Sequence, residues 1–289
     1  MANLIQKRES KRYPGLFVKK YTRKVFFDAL WNTSDELLEA RGHVEDRDGN
    51  IVIRPFTKIF NRFENHTDID RNETVVAIRK VNGFMAAATY VPSVKAVVVS
   101  TTGSLDSDFI AYAEKYITDE VKKTIATHYT LTGKARTWLF EICHPDDPHI
   151  IPEKEGAYLI GMRDVADDTP YFSTAAKEAD LDHYAGVAGV LRPHWQVIDF
   201  GFITDAAKTC KHEGYVVYGQ TSHTALKIKS PYYLTLKACA RKADILSLDK
   251  TRVDEEYFGL IDFLKSNQDE FNAYNEQDRL KFITQYLAS

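Results

Sequence analysis

The chain has 289 residues, 44% of them hydrophobic, with a net charge of −3 and a pI near 6.3. That is enough for a sizeable core in one large domain or two unequal ones, and it excludes a nucleic-acid binder that works by global charge, so any such partner must be held by local basic patches. Cys143, Cys210 and Cys239 are too far apart for a metal-ligand pair or a disulfide framework, and no apolar run has the form of a signal peptide or approaches membrane-spanning length, so a cytoplasmic chain is expected.

Residues 7–24 carry Lys7, Arg8, Lys11, Arg12, Lys19, Lys20, Arg23 and Lys24, with Tyr13, Phe17 and Tyr21 between them. Cations interleaved with aromatics can hold phosphates and stack bases. A solvated amphipathic edge reads the same way. Phe26 to Leu38 has the spacing of an amphipathic helix, and Asp46-Arg47-Asp48-Gly49-Asn50 that of a hairpin turn between strands. Arg54-Pro55-Phe56-Thr57-Lys58-Ile59-Phe60-Asn61 then mixes cations with aromatics, which suits a nucleotide pocket or an edge strand.

An apolar run, Val75-Val76-Ala77-Ile78, leads into Lys80-Val81-Asn82-Gly83, and a second run, Phe84-Met85-Ala86-Ala87-Ala88, leaves it. This predicts a buried strand, a tight polar turn and another strand. Gly83 would let the backbone approach a ligand closely. Burial at such a turn disfavours an ammonium, which would make the Lys80 amine a better nucleophile. By itself the tetrapeptide also describes a hairpin with a solvated lysine at its tip.

Farther on, Ala96-Val97-Val98-Val99 is a strand ending in Ser100-Thr101-Thr102-Gly103-Ser104, a turn able to bind an anion or simply to cap the helix expected over Leu105 to Ile125. Trp138-Leu139-Phe140-Glu141-Ile142 is an apolar strand interrupted by one carboxylate, and a charge on a core strand needs a partner. Gly156 to Asp164 is another strand, with a short helix expected around Lys177-Glu178-Ala179-Asp180. Glu213-Gly214-Tyr215-Val216-Val217-Tyr218 precedes Ala225-Leu226-Lys227-Ile228-Lys229, where alternation puts Lys227 and Lys229 on one face. They either flank an anion or form the polar side of a half-exposed strand. After Pro231 the pattern is helical and increasingly acidic.

In order, these stretches resemble the motif series of the covalent nucleotidyltransferases, namely ATP-dependent DNA and RNA ligases and mRNA capping enzymes. Lys80-Val81-Asn82-Gly83 is similar to their lysine motif, usually K-x-D-G. Phe140-Glu141, Glu213-Gly214 and Lys227-Ile228-Lys229 are similar to the third, fourth and fifth motifs. With Arg41-Gly42 and the Arg54–Asn61 stretch included, the chain from about Tyr21 to Lys229 more closely resembles RNA ligase 1 of the tailed phages, which repairs broken tRNA. Two departures stand out. Asn82 replaces the usual aspartate, and Thr102 occupies the place of a lysine in Ser-Lys-Gly-Ser.

The resemblance implies an α+β enzyme: an adenylation (nucleotidyltransferase) domain of twisted, largely antiparallel sheets over residues 1–230, and a small helical C-terminal domain over 231–289. Lys80 would attack the α-phosphate of ATP and carry AMP. Arg41, Lys58 and Tyr21 would contact the polyphosphate, and Phe60 and Gly83 would help form the nucleotide pocket. Glu141 would bind the ribose or position metal-bound water. Glu213, beside Gly214, would help hold Mg2+ or Mn2+. Lys227 and Lys229 would contact the α-phosphate and stabilise developing charge. The implied partner is RNA with 5′-phosphate and 3′-hydroxyl ends, single-stranded or a broken tRNA, joined by a monomer acting in RNA repair in the cytoplasm, that of the host if the chain is phage-encoded. The alternatives are nick-sealing of duplex DNA or RNA by the same chemistry, and a non-catalytic RNA-binding protein of the same fold.

Overall fold

The computed structural model describes residues 4–288. The first sheet is an antiparallel meander of β1 (Ile5–Glu9), β2 (Phe17–Tyr21), β3 (Arg41–Glu45) and β4 (Ile51–Ile53). The expected turn at Asp46–Asn50 joins β3 to β4. The Asp46 carboxylate accepts the N–H groups of Asp48 and Asn50, each at 2.9 Å, which is why an aspartate opens it.

The basic segment is therefore largely a hairpin, and several of its cations are already paired. Lys7 meets Glu45, Lys19 meets Glu36 and Glu45, and Arg12 grips Glu114 with two nitrogens. The helix expected over Phe26 to Leu38 is broken. A short helix spans Arg23–Phe27, a 3-10 turn Leu30–Thr33, and a second short helix Asp35–Glu39. Ala29 adopts a left-handed backbone (φ 50°), and Ser34 caps the last piece by accepting the Glu36 N–H.

The remaining strands form two further sheets. They are β5 (Phe60–Asn61), β6 (Thr74–Arg79), β7 (Phe84–Val91), β8 (Ala96–Thr101), β9 (Arg136–Cys143), β10 (Gly156–Asp164), β11 (Trp195–Asp199), β12 (Gly214–Gly219) and β13 (Ala225–Lys229). One sheet has the order β10-β9-β7-β8, antiparallel throughout. The other has the order β11-β6-β12-β13-β5, antiparallel except for β13 with β5. Thus β6 and β7, consecutive in sequence, do not pair. Lys80–Gly83 is a crossover between two sheets, not the tip of a hairpin.

Apolar residues on both faces hold these sheets inside the molecule. One face of the β10-β9-β7-β8 sheet packs Trp138 and Phe140 against helices Asp108–Tyr116, Asp119–Thr132 and Ala175–Ala188. Its opposite face packs Ala87 and Leu139 against Leu16, Val18 and Val44 of the first sheet. Burying each large side chain contributes roughly 1.5–3 kcal/mol. The single helix expected over Leu105 to Ile125 is two, separated where Thr118 caps the second by accepting the Val121 N–H. The helix around Lys177 runs a full 14 residues. From Pro231 onward the chain is helical, with a core of its own that also takes in Ile150 and Ile151.

Candidate active site

All three sheets contribute to one cavity of about 350 Å³. Lys80 and Arg79 enter from the end of β6, Glu141 from β9, and Lys227 from β13. Arg41 of β3 and Thr102 border it from the side of the first sheet. Phe56, Met85, Ile160 and Val216 supply apolar wall. A space with cations on one side and apolar walls on another suits a ligand with a flat apolar part and an anionic part.

Lys80 is held at backbone and tip. Its N–H donates to the Gly214 carbonyl at 2.8 Å, and its Nζ donates to Glu213 Oε2 at 3.0 Å. Glu141 Oε1 lies 4.0 Å from the same Nζ. Burial works against the ammonium, but the charges of Glu141 and Glu213 and the hydrogen bond to Glu213 outweigh it, and the Lys80 pKa lies above the ordinary lysine value. This reverses the sequence expectation: two carboxylates keep the amine protonated. Glu141, the more distant of the two and largely buried, has its carboxyl lifted by burial, with Lys80 opposing.

Glu213 is the hub. Its Oε2 also accepts from Asn82 Nδ2 at 2.7 Å, and its Oε1 lies 3.8 Å from Lys229 Nζ. Asn82 is buried and uses its other end too, since Oδ1 accepts the Ile151 N–H at 3.0 Å. An aspartate would set a carboxylate against Glu213 and have nothing to donate. In this chain the asparagine is thus a neutral clamp on the residue that holds Lys80. The Glu213 carbonyl accepts the Ser230 N–H at 3.0 Å, and the Ser230 hydroxyl caps helix Pro231–Arg241. The first C-terminal helix therefore fixes Glu213 and Lys229 from behind.

Gly83 borders the cavity, and the structure adds a second reason for a glycine there. A β-carbon would lie 2.2 Å from the Ile142 carbonyl oxygen, so the residue also permits a close approach to β9. That approach lets the Gly83 N–H donate to Glu141 Oε1 at 3.1 Å. Phe60 does not line the cavity. It is buried with Val25, Trp31 and Leu37, its ring edge-on to Trp31, with the Lys58 ammonium 4.5 Å from its centre. Phe56, from the same stretch, takes the wall position. Tyr21 is likewise outside the lining and touches the site through its hydroxyl, 3.4 Å from an Arg41 nitrogen. Lys58 is tied to Glu64 at 3.1 Å just behind the cavity.

Lys227 and Lys229 share a face, as alternation predicted, with Leu226 and Ile228 buried opposite. Lys227 makes no ion pair among the described residues; burial and the charges of Lys58, Arg41, Lys80 and Lys229 push its pKa down to about 7. The Ser/Thr/Gly turn after β8 is closed on itself, with the Thr101 N–H on the Ser104 carbonyl at 2.9 Å. Sequence reasoning missed Arg79 and Glu153. They form a two-oxygen ion pair at 3.0 and 2.9 Å that pins the chain next to Lys80. Glu153 comes from an irregular stretch between β9 and β10, where no periodicity marks it.

Three sheets meeting at a lysine set between two carboxylates, with further cations around the cavity, define the nucleotidyltransferase fold of the ATP-dependent ligases. Structural neighbours share that fold. Form 1 of an archaeal ATP-dependent RNA ligase matches with a TM-score of 0.59 at 14% identity, over 99% of this chain and 73% of its own. Form 2 gives 0.57 at 15%, over 97% and 73%. A candidate ATP-dependent DNA ligase from Aquifex aeolicus gives 0.56 at 12%, again over 97% and 73%. The RNA ligase family model matches residues 39–233, about two thirds of the chain. The chain belongs to the RNA ligase family, as its motif series led us to expect. No curated protein sequence matches it.

Proposed function

We propose that this RNA ligase works with ATP through a covalent intermediate on Lys80. The carrying observation is the position of Lys80: fixed at the crossover between two sheets, hydrogen-bonded to Glu213 at 3.0 Å, at the edge of the cavity shared with Lys227 and Arg41. In the first step Lys80 Nζ would bond to the α-phosphorus of ATP as the bond to the bridging oxygen breaks. Pyrophosphate leaves with that electron pair, and one Nζ proton is lost by way of Glu213. A 5′-phosphate oxygen of RNA then displaces the amine to give RNA-adenylate. Finally a 3′-hydroxyl attacks the 5′-phosphorus and releases AMP. Lys227 and Lys229 would steady the charge on the α-phosphate, and positioning of this kind is the main need of phosphoryl transfer.

The donor set fits a divalent cation only as a shared ligand. Among the described residues no group of three His, Cys, Asp or Glu side chains is placed to hold one alone. Glu141 and Glu213, both near Lys80, would bind Mg2+ or Mn2+ together with substrate phosphates. When bound, the ion neutralises phosphate charge and competes with the Lys80 ammonium for these carboxylates, which favours the free amine.

RNA would approach along the first sheet. Arg8, Lys11, Arg23 and Lys24 make no ion pair among the described residues, and Phe26 and Phe27 stand 55% and 76% exposed beside the last two. Phosphate-binding cations next to open rings suit single-stranded RNA, read with little sequence preference. The same reading treats residues 1–230 as the adenylation unit and 231–289 as a helical unit that braces Glu213. No helix among the described residues is long and apolar enough to cross a membrane.

The test is incubation with α-labelled ATP and a divalent cation, without RNA. Label should stay on the denatured protein, survive base, be lost in acid, and be absent from Lys80→Ala. Normal labelling of Lys80→Ala would overturn the assignment. Ligation of single-stranded RNA, nicked duplex RNA, nicked DNA and a tRNA cut in its anticodon loop, compared side by side, then fixes the substrate. A clear preference for a nicked duplex would replace the single-strand reading.

A further inference from the structure

The first sheet contains one irregularity that faces the cavity. The β2–β3 register runs Lys19 with His43, then Lys20 with Arg41, so Gly42 is an extra residue without a partner. Gly42 has φ +94°, and a β-carbon there would lie 2.9 Å from Thr102 Cα, so this bulge is seated on the turn after β8. Bulges re-aim side chains. Here the shift sets Lys20 directly opposite Arg41, whereas an unbroken register would have put it opposite Gly42.

Two cations facing one another across a strand pair repel, and this pair has no internal relief. Neither Lys20 nor Arg41 makes an ion pair among the described residues, although Lys7 and Lys19 on the same sheet both do. The Arg41 guanidinium donates to the neutral Tyr21 hydroxyl at 3.4 Å. The Lys20 side chain lies along Gly103, its Nζ 3.3 Å from where a β-carbon of Gly103 would sit. Gly103 directly follows Thr102, which borders the cavity together with Arg41.

We infer that Lys20, brought face to face with Arg41 by the Gly42 bulge, is a further member of the polyphosphate site and binds the terminal phosphates of the nucleotide beside Arg41. The inference rests on the ATP reading above. It also removes Lys20 from the basic segment's role in RNA binding. Arg41 lines the same cavity as Lys80, so anionic groups attached to a nucleotide there come within its reach. A 5′-phosphate of RNA has similar chemistry, and the experiment must separate the two sources.

Lys20→Ala, Lys20→Arg and a surface control, Lys208→Ala, are compared with the unmodified chain. Three quantities are read: the KM for ATP in self-labelling, the binding of inorganic pyrophosphate by calorimetry, and the KM for RNA that already carries a 5′-adenylate. Lys20→Ala should raise the KM for ATP and the pyrophosphate dissociation constant about tenfold, with kcat changed less than threefold. The KM for pre-adenylated RNA should stay within twofold, Lys20→Arg should recover most of the loss, and the control should match the unmodified chain. A loss confined to the RNA constant would overturn the inference in favour of an RNA phosphate, and no change in any of the three would overturn it outright. A fall in kcat and thermal stability together, without the KM shift, would make Lys20 structural and also overturn it. Failure of the unmodified chain to self-label would count against the ATP reading, while pyrophosphate binding would still decide the role of Lys20.

Discussion

Asn82 Nδ2 donates to Glu213 Oε2 at 2.7 Å, the same oxygen that accepts from Lys80. A neutral amide thus stabilises an anion that in turn stabilises the Lys80 ammonium. Its other end holds the loop at Ile151, whose side chain belongs to the C-terminal core. One buried side chain therefore joins the lysine crossover, the carboxylate hub and the helical unit.

Asn82→Ala leaves the Glu213 carboxylate and the Ile151 N–H each short of a partner, which should cost about 1–3 kcal/mol. Asn82→Asp keeps an acceptor for Ile151 but opposes a second carboxylate to Glu213. The folded pKa of that acid pair would be raised above its unfolded value, so the folded state binds more protons and stability is lost as pH rises. The deficit in Tm against the unmodified chain should be wider at pH 8 than at pH 5. An equal deficit at both would show that the two side chains do not interact.

Lys227 gives a linked prediction. Its folded pKa of about 7 is depressed from the ordinary 10.5, so its cost to stability is fully present below pH 7 and is relieved as pH rises towards 10.5. An anion in the cavity favours the charged form and should restore the proton. ATP binding at pH 8 should take up as much as one proton, and at pH 5.5 almost none. Calorimetry in two buffers of different ionisation enthalpy reads this directly, and Lys227→Met should abolish it. Uptake that persists in Lys227→Met would assign the proton to another group.

Gly83→Ala should be among the most damaging small substitutions in the chain. Its β-carbon would sit 2.2 Å from the Ile142 carbonyl oxygen, and the backbone shift that relieves this also breaks the Gly83–Glu141 hydrogen bond. A loss of about 3 kcal/mol or more is expected. Gly186→Ala offers the contrast: it lies within helix Ala175–Ala188 with nothing near its would-be β-carbon, and it should be neutral or slightly stabilising. Denaturant midpoints of the two variants make the comparison.

The exposed face at Arg23, Lys24 and Phe27 should separate RNA handling from nucleotide chemistry. Arg23→Ala with Lys24→Ala, or Phe27→Ala alone, should weaken RNA binding about tenfold and leave self-labelling with ATP unchanged. The charge variant should also flatten the salt dependence of binding, which the aromatic variant should not. Equal loss of labelling and binding in these variants would place the segment at the nucleotide instead.

The sequence by itself determined the elements whose cause is local. Val75–Ile78 and Trp138–Ile142 read as strands because they are apolar on both faces, and Ala225–Lys229 because its burial alternates. The motif series named Lys80, Glu141, Lys227 and Arg41, which line one cavity, and it led to the family; it missed Arg79 and Glu153, and Lys58, Phe60 and Tyr21 lie outside the cavity lining. What it did not contain was pairing. A strand, a polar turn and a strand look alike whether the strands pair or part, and only contacts with β11, β12, β8 and β9 sent β6 and β7 to different sheets. The break at Ala29 was hidden because the helical spacing continues through it, and the bulge at Gly42 because it exists only in the pairing of β3 with β2.

The charge state of Lys80 was decided wholly by tertiary structure. Local burial alone would have made it a weak base. Glu213, 133 positions away in sequence, and Glu141 are carried to it by two different sheets, and their combined attraction outweighs desolvation. Desolvation is a property of a buried residue that a pattern can suggest. Attraction depends on which charges the fold brings within a few ångströms, and no run of neighbouring residues specifies that.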